Sequence, residues 1–156
     1  MYHWDVRLDP EPTQLTTAAL SLPAFDSPPD VQSFRLHFSP LASTPAMDYS
    51  CDVAVPPGTP ISIGDVFRAI HRAVSAPLAG RWAHWRGDPM RRHVERAFRR
   101  RTGARADSDV LRNVDLHLHM ADSDGRAGVF FHGIAVEQVE GYTVFRVVLR
   151  EGPPFP

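Results

Sequence analysis

Four groups of residues have types and spacings that could do chemistry. The first is His117-x-His119 with Asp115 two residues upstream. Alternation along a strand would put all three on one face, where two imidazoles can share a metal ion. His132, carried by a neighbouring strand, is the further ligand such a site would need, and the set would serve a metal-binding protein or a hydrolase. A solvent-facing strand produces the same pattern with no metal, and nothing in the sequence specifies a fourth ligand, so no cofactor is expected. The second group is Arg92, Arg96 and Arg99, which share one face of a helix opposite Met90, Val94 and Phe98, with Arg91 and Arg100 at its flanks. Guanidinium forks in a row suit a carboxylate-rich or phosphate-bearing partner. Glu95 sits among them, and a charged run is also what the solvated side of any amphipathic helix looks like.

The third group is Trp82-x-x-Trp85 with Arg81, His84 and Arg86. Two indoles three residues apart on a helical turn offer a stacking platform for a sugar or a peptide, or cover the gap between two helices. The fourth is Cys51, the single cysteine, which falls on the apolar side of its strand and reads as a small core residue. No Gly-x-Ser-x-Gly turn and no phosphate-cradling glycine loop occurs, so catalysis has no positive support.

Charge is distributed unevenly. The chain has 156 residues and a formal net charge of −1, yet residues 65–105 carry 11 arginines against 3 acids, and both flanks are acidic. All 17 basic residues are arginine. Overall neutrality argues against nucleic acid as the partner, because phosphate binding draws on an excess of cations. No run approaches the roughly 18 apolar residues of a membrane span. A start lacking both a basic and an apolar segment reads as neither secreted nor anchored, and a lone thiol fits an intracellular, cytoplasmic or nuclear protein.

The elements that must position these groups are legible from periodicity. Residues 2–8 alternate as a short strand with Trp4 and Val6 on one face. A proline-rich arm follows at about 9–31, with a helical turn near Leu15–Leu20. Strands are expected over 32–39 (Phe34, Leu36 and Phe38 inward) and over 50–55 (Cys51, Val53 and Val55 inward). Ser62 and Asp65 form a capping box that opens a helix with the stripe Ile63, Val66, Phe67, Ile70 and Val74, ended by Pro77. Asp88-Pro89 opens a second helix, which stops at Gly103 and buries Val94 and Phe98 in the same core. Residues 113–120 alternate as a strand, and 129–139 and 142–150 form a hairpin turning at Glu140-Gly141. The tail, 151–156, is rich in proline. The expectation is a single α+β domain over 1–156, with an antiparallel or mixed sheet and two main helices packed on one face.

Four segments, in order, resemble an uncharacterised domain family widespread in mushroom-forming fungi, domain-of-unknown-function family 6699. They are residues 61–74, Ala97-Phe98-Arg99-Arg100-Arg101, Val114-Asp115-Leu116 and Phe131-His132-Gly133-Ile134, and the opening Trp4-Asp5-Val6 is similar too. The chain departs from the family pattern at Thr102, where a cysteine is common, and at Met47-Asp48-Tyr49, where a Pro-Trp pair is usual. The resemblance implies a fungal intracellular protein and carries over no activity. The function expected is a non-catalytic module binding a protein partner, or itself, through Arg92, Arg96 and Arg99 with Trp82 and Trp85. The alternatives are the His117/His119 metal site and a cytoplasmic carbohydrate-binding protein that uses the tryptophans.

Overall fold

Alternating apolar residues build the sheet first. In the computed structural model, which describes residues 4–10, 17–24, 32–40, 47–78, 91–103, 110–118 and 128–152, β1 (Ser33–Phe38) pairs antiparallel with β2 (Tyr49–Ala54). Leu36 and Phe38 are buried on the inner face, while Arg35 and Asp52 meet across the outer one at 2.7 Å. β3 (Gly128–Val139) and β4 (Tyr142–Gly152) form the expected hairpin. Its two-residue turn takes positive φ at both Glu140 (49°) and Gly141 (84°), the twist that closes a hairpin without splaying its strands. β4 then lies parallel to β1, with Leu36 opposite Phe145, giving the order β2-β1-β4-β3. The sheet is mixed and the class is α+β.

Among the described residues there are four helices. α1 (Thr17–Leu20) falls in the proline-rich arm, and the residues after it are pinned to the rest of the fold. Ala24 donates its amide to Ile61 (2.8 Å), and Ile63 donates to Leu22 (2.9 Å). α1 comes so close to the next helix that a Cβ on Gly64 would lie 3.1 Å from the Leu20 carbonyl oxygen. α2 (Ile63–Ser75) begins as its residues specify: the Asp65 amide donates to Ser62 Oγ, and the Ser62 amide donates back to the Asp65 carboxylate. It lays Val66, Phe67, Ile70 and Val74 onto the inner sheet face. Trp4 stacks on Phe67 at 4.8 Å, and Phe131 meets that ring edge-on at 5.0 Å.

Three expectations change. Residues 2–8 do not make a full strand. Asp5 bridges Phe130, and the chain then turns, because the Asp5 carbonyl accepts from the Leu8 amide and its carboxylate from the Arg7 amide and guanidinium. The strand expected over 113–120 does not form in its described part, 113–118: Asn113–His117 is a one-turn helix, α4. Asp115 sits at its third position and accepts from the Arg112 amide at 2.8 Å, which closes the turn. Val-Asp-Leu-His alternates in polarity, but Asn113, Val114, Asp115 and Leu116 are all buried, so the alternation does not separate a wet face from a dry one. Finally, α3 (Arg91–Thr102) joins the fold through α4. Val94 belongs to a second, smaller cluster with Met47, Leu78 and Leu116, and Phe98 is only half-buried, beneath the Arg101 guanidinium at 5.5 Å from its centroid.

Candidate functional site

α3 carries six arginines in twelve residues, and the structure sorts them. Helical periodicity turns Val94 and Ala97 inward and leaves Arg92, Arg96 and Arg99 exposed on the opposite side. The arginines beside that face are engaged. Arg91 Nε donates to Glu95 at 2.9 Å, one turn along. Arg101 donates from Nε (2.8 Å) and Nη2 (3.0 Å) to the two oxygens of Asp115, which is fully buried, and this fork fastens α3 to α4. Arg92, Arg96 and Arg99 make no ion pair with any described residue. Elsewhere among the described residues Arg7, Arg35, Arg68 and Arg146 each hold a carboxylate, while Arg72 and Arg150, on other elements, are exposed as well. Gly103 ends it with φ of +54°.

The described members of the histidine group, Asp115, His117 and His132, are not brought together as the alternation suggests. In a helix, Asp115 and His117 point about 200° apart, so they cannot share one side. Asp115 is taken up by Arg101 and by the Arg112 amide. His117 Nε2 is 2.8 Å from the Tyr49 hydroxyl, in a contact that ties α4 to β2, and Tyr49 in turn stacks on Phe38 at 4.5 Å. His132 stands exposed at a β-bulge, where the register shifts between Phe131 and Gly133. His119 lies outside the described residues, as do Trp82 and Trp85. Among the described residues, no three of histidine, cysteine, aspartate or glutamate come together as metal ligands would.

Cys51 lines an open groove of about 480 Å³ with Asp52, Arg72 and Asn113. Burial pushes its thiol up to about 11, against the pull of Arg72, and Sγ faces the Ala69 carbonyl at 3.7 Å. A thiol so reluctant to ionise is a poor nucleophile. A second groove of about 330 Å³ is almost wholly apolar. It runs between α2 and the hairpin and is lined by Ile63, Val66, Phe131, Ile134, Val136 and Phe145. In the sequence Ile134 and Val136 fall within the expected strand 129–139 and carry no further mark. The signal for more is an inward-facing apolar residue close to the hairpin tip, and Val136 is 62% exposed.

No described helix is long and apolar enough to cross a membrane. Among curated proteins and among solved structures, none matches this chain. A family model matches residues 2–139, most of the chain, and by it the protein belongs to a family of unknown function (DUF6699).

Proposed function

We propose that this domain is a non-catalytic interaction module whose partner is a protein with an acidic surface, bound through Arg92, Arg96 and Arg99 on α3. One observation carries the reading: these three guanidinium groups share an exposed face without a carboxylate among the described residues, while their neighbours Arg91 and Arg101 are consumed by Glu95 and Asp115. Exposed guanidinium forks keep their capacity for two-point contacts with carboxylates. They also steer association over roughly a Debye length, about 8 Å at physiological salt.

The test is fluorescence anisotropy with a labelled polyglutamate peptide. The protein should bind it, with affinity falling as salt rises, and R92Q/R96Q/R99Q should lose the binding while melting at nearly the same temperature. Equal binding by the triple variant would overturn the reading. So would a large loss of stability, which would make this face a structural ion-pair network. Tighter capture of polyuridylate than of polyglutamate would move the site to nucleic acid.

A further inference from the structure

We propose that the free edge of β3 is a self-association surface, with a second copy of this chain adding its own β3 antiparallel about a two-fold axis at Val136. The observations concern a part of the molecule that the α3 reading does not use.

β3 is an edge strand, and its edge is divided in two. Its beginning is covered: the Val6 amide donates to the Val129 carbonyl and the Phe131 amide to the Trp4 carbonyl, both at 2.9 Å. Beyond the bulge, no described strand pairs with Gly133–Val139 on that side. Because Val139 and Tyr142 flank a two-residue turn, they exchange both of their backbone bonds. Counting back from them, Glu137 and Ala135 also bond to β4, so the amides and carbonyls of Ile134, Val136 and Gln138 aim at the open edge. Three successive outward-facing residues thus present donors and acceptors with no strand partner among the described residues.

Soluble proteins guard such edges with lysine, proline, inward charges, a bulge such as the one at Phe131/Gly133, or a covering segment. This stretch has none of the first three: the chain has no lysine, residues 129–152 contain no proline, and the one charge between Gly133 and Val139 is Glu137, on the outer face. That carboxylate is already gripped by Arg146, whose Nε and Nη2 donate to it at 3.0 Å. On the inner face Val136 stands 62% exposed at the mouth of the apolar groove.

The occupant that fits is a second copy, because the free stretch is self-complementary. With the axis at Val136, that residue faces itself as a doubly bonded pair, Ile134 faces Gln138, and Gly133 faces Val139. All three outward residues find partners in the same three of the other chain. Glu137 falls opposite Ala135, so no like charges are directly opposed. The two sheets become one of eight strands with both α2 helices on the same side, and the two Val136 side chains cover each other where the groove now opens to water.

Sedimentation of the full chain in reductant, which removes any disulfide through Cys51, tests this directly. A monomer–dimer equilibrium is expected. V136K would place two ammonium groups opposite each other across Cα atoms about 5.5 Å apart. It should weaken the dimer by at least about tenfold and leave the melting temperature of dilute protein unchanged, since Val136 is exposed. R92Q/R96Q/R99Q should dimerise as the parent does. Amide exchange at Ile134, Val136 and Gln138 should slow as concentration rises. A chain that stays monomeric throughout, or a dimer that survives V136K with those amides unprotected, would overturn the proposal. Protection of the same amides only on adding an extended peptide would overturn it too, by making another protein's strand the occupant.

Discussion

α2 and α3 are nearly equal in length, thirteen and twelve residues, yet they stand in opposite relations to the core. α2 buries seven residues and is clamped at its start by Ser62 and Asp65. α3 buries only Val94 and Ala97 and is held at its far end by the Arg101 fork. The difference teaches where stability and spare surface lie. A helix that commits a wide apolar stripe to a sheet is scaffold, because burial contributes roughly 25 cal/mol per Å² of apolar area. A helix docked by a narrow apolar strip and one ion pair can leave part of its polar side, here Arg92, Arg96 and Arg99, exposed.

The sharpest test of this contrast is truncation of the aromatic residue that each helix contributes. Phe67→Ala should cost about 3–5 kcal/mol in chemical denaturation, since it removes a buried ring that meets both Trp4 and Phe131. Phe98→Ala should cost clearly less, because that ring is half-buried and its neighbours can close over the gap. Equal costs would break the comparison. Asp115→Asn comes next, at about 2–3 kcal/mol: it leaves the Arg101 guanidinium facing a neutral amide, and the partial exposure of Arg101 keeps the loss below that of a fully buried pair. If α3 stayed docked at full stability in that variant, the fork would not be its fastening.

Ser62→Ala should destabilise by about 1 kcal/mol through loss of the cap, and its effect should depend on pH. Burial acts to raise the Asp65 carboxyl, but hydrogen bonds from Ser62 and Arg68 outweigh it and hold the group below the usual carboxylate range. A depressed folded-state pKa means stability that is present above the unfolded value, near 3.9, and lost as pH falls through the folded one. The gap between parent and Ser62→Ala in thermal melts should therefore hold from pH 7 to about 5 and narrow below about 4. A gap that widened in acid would reverse the assignment. The smallest effect belongs to R92Q/R96Q/R99Q, because unpaired surface charges contribute about 0–1 kcal/mol each. A shift comparable to that of Asp115→Asn would mean that the polar side of α3 is structural after all.

Much of the fold was legible locally. The Ser62–Asp65 box, the stripe from Ile63 to Val74, the alternation of Phe34, Leu36 and Phe38, and the Glu140-Gly141 turn each act over a few residues, where capping, periodicity and backbone chirality decide. The exposed positions of Arg92, Arg96 and Arg99 follow from the same periodicity. What misled was α4. Val114-Asp115-Leu116-His117 has the polarity pattern of a half-buried strand, and nothing within it announces that Asp115 will be neutralised by a residue fourteen positions earlier.

The amino-acid sequence alone therefore determined the elements whose causes are short-range: the capped helix, the paired strands, the tight hairpin and the cationic side of α3. Only the tertiary structure decided which polar residues would be consumed and which left over. It buried Asp115 against Arg101, gave His117 to Tyr49, covered the first part of the β3 edge with residues 4–6 and left the rest of that edge, around Val136, without a strand partner among the described residues. The physical reason is that a charge or an unpaired amide is tolerated in the interior only with a partner. Such partners come from distant parts of the chain, so no local pattern records them.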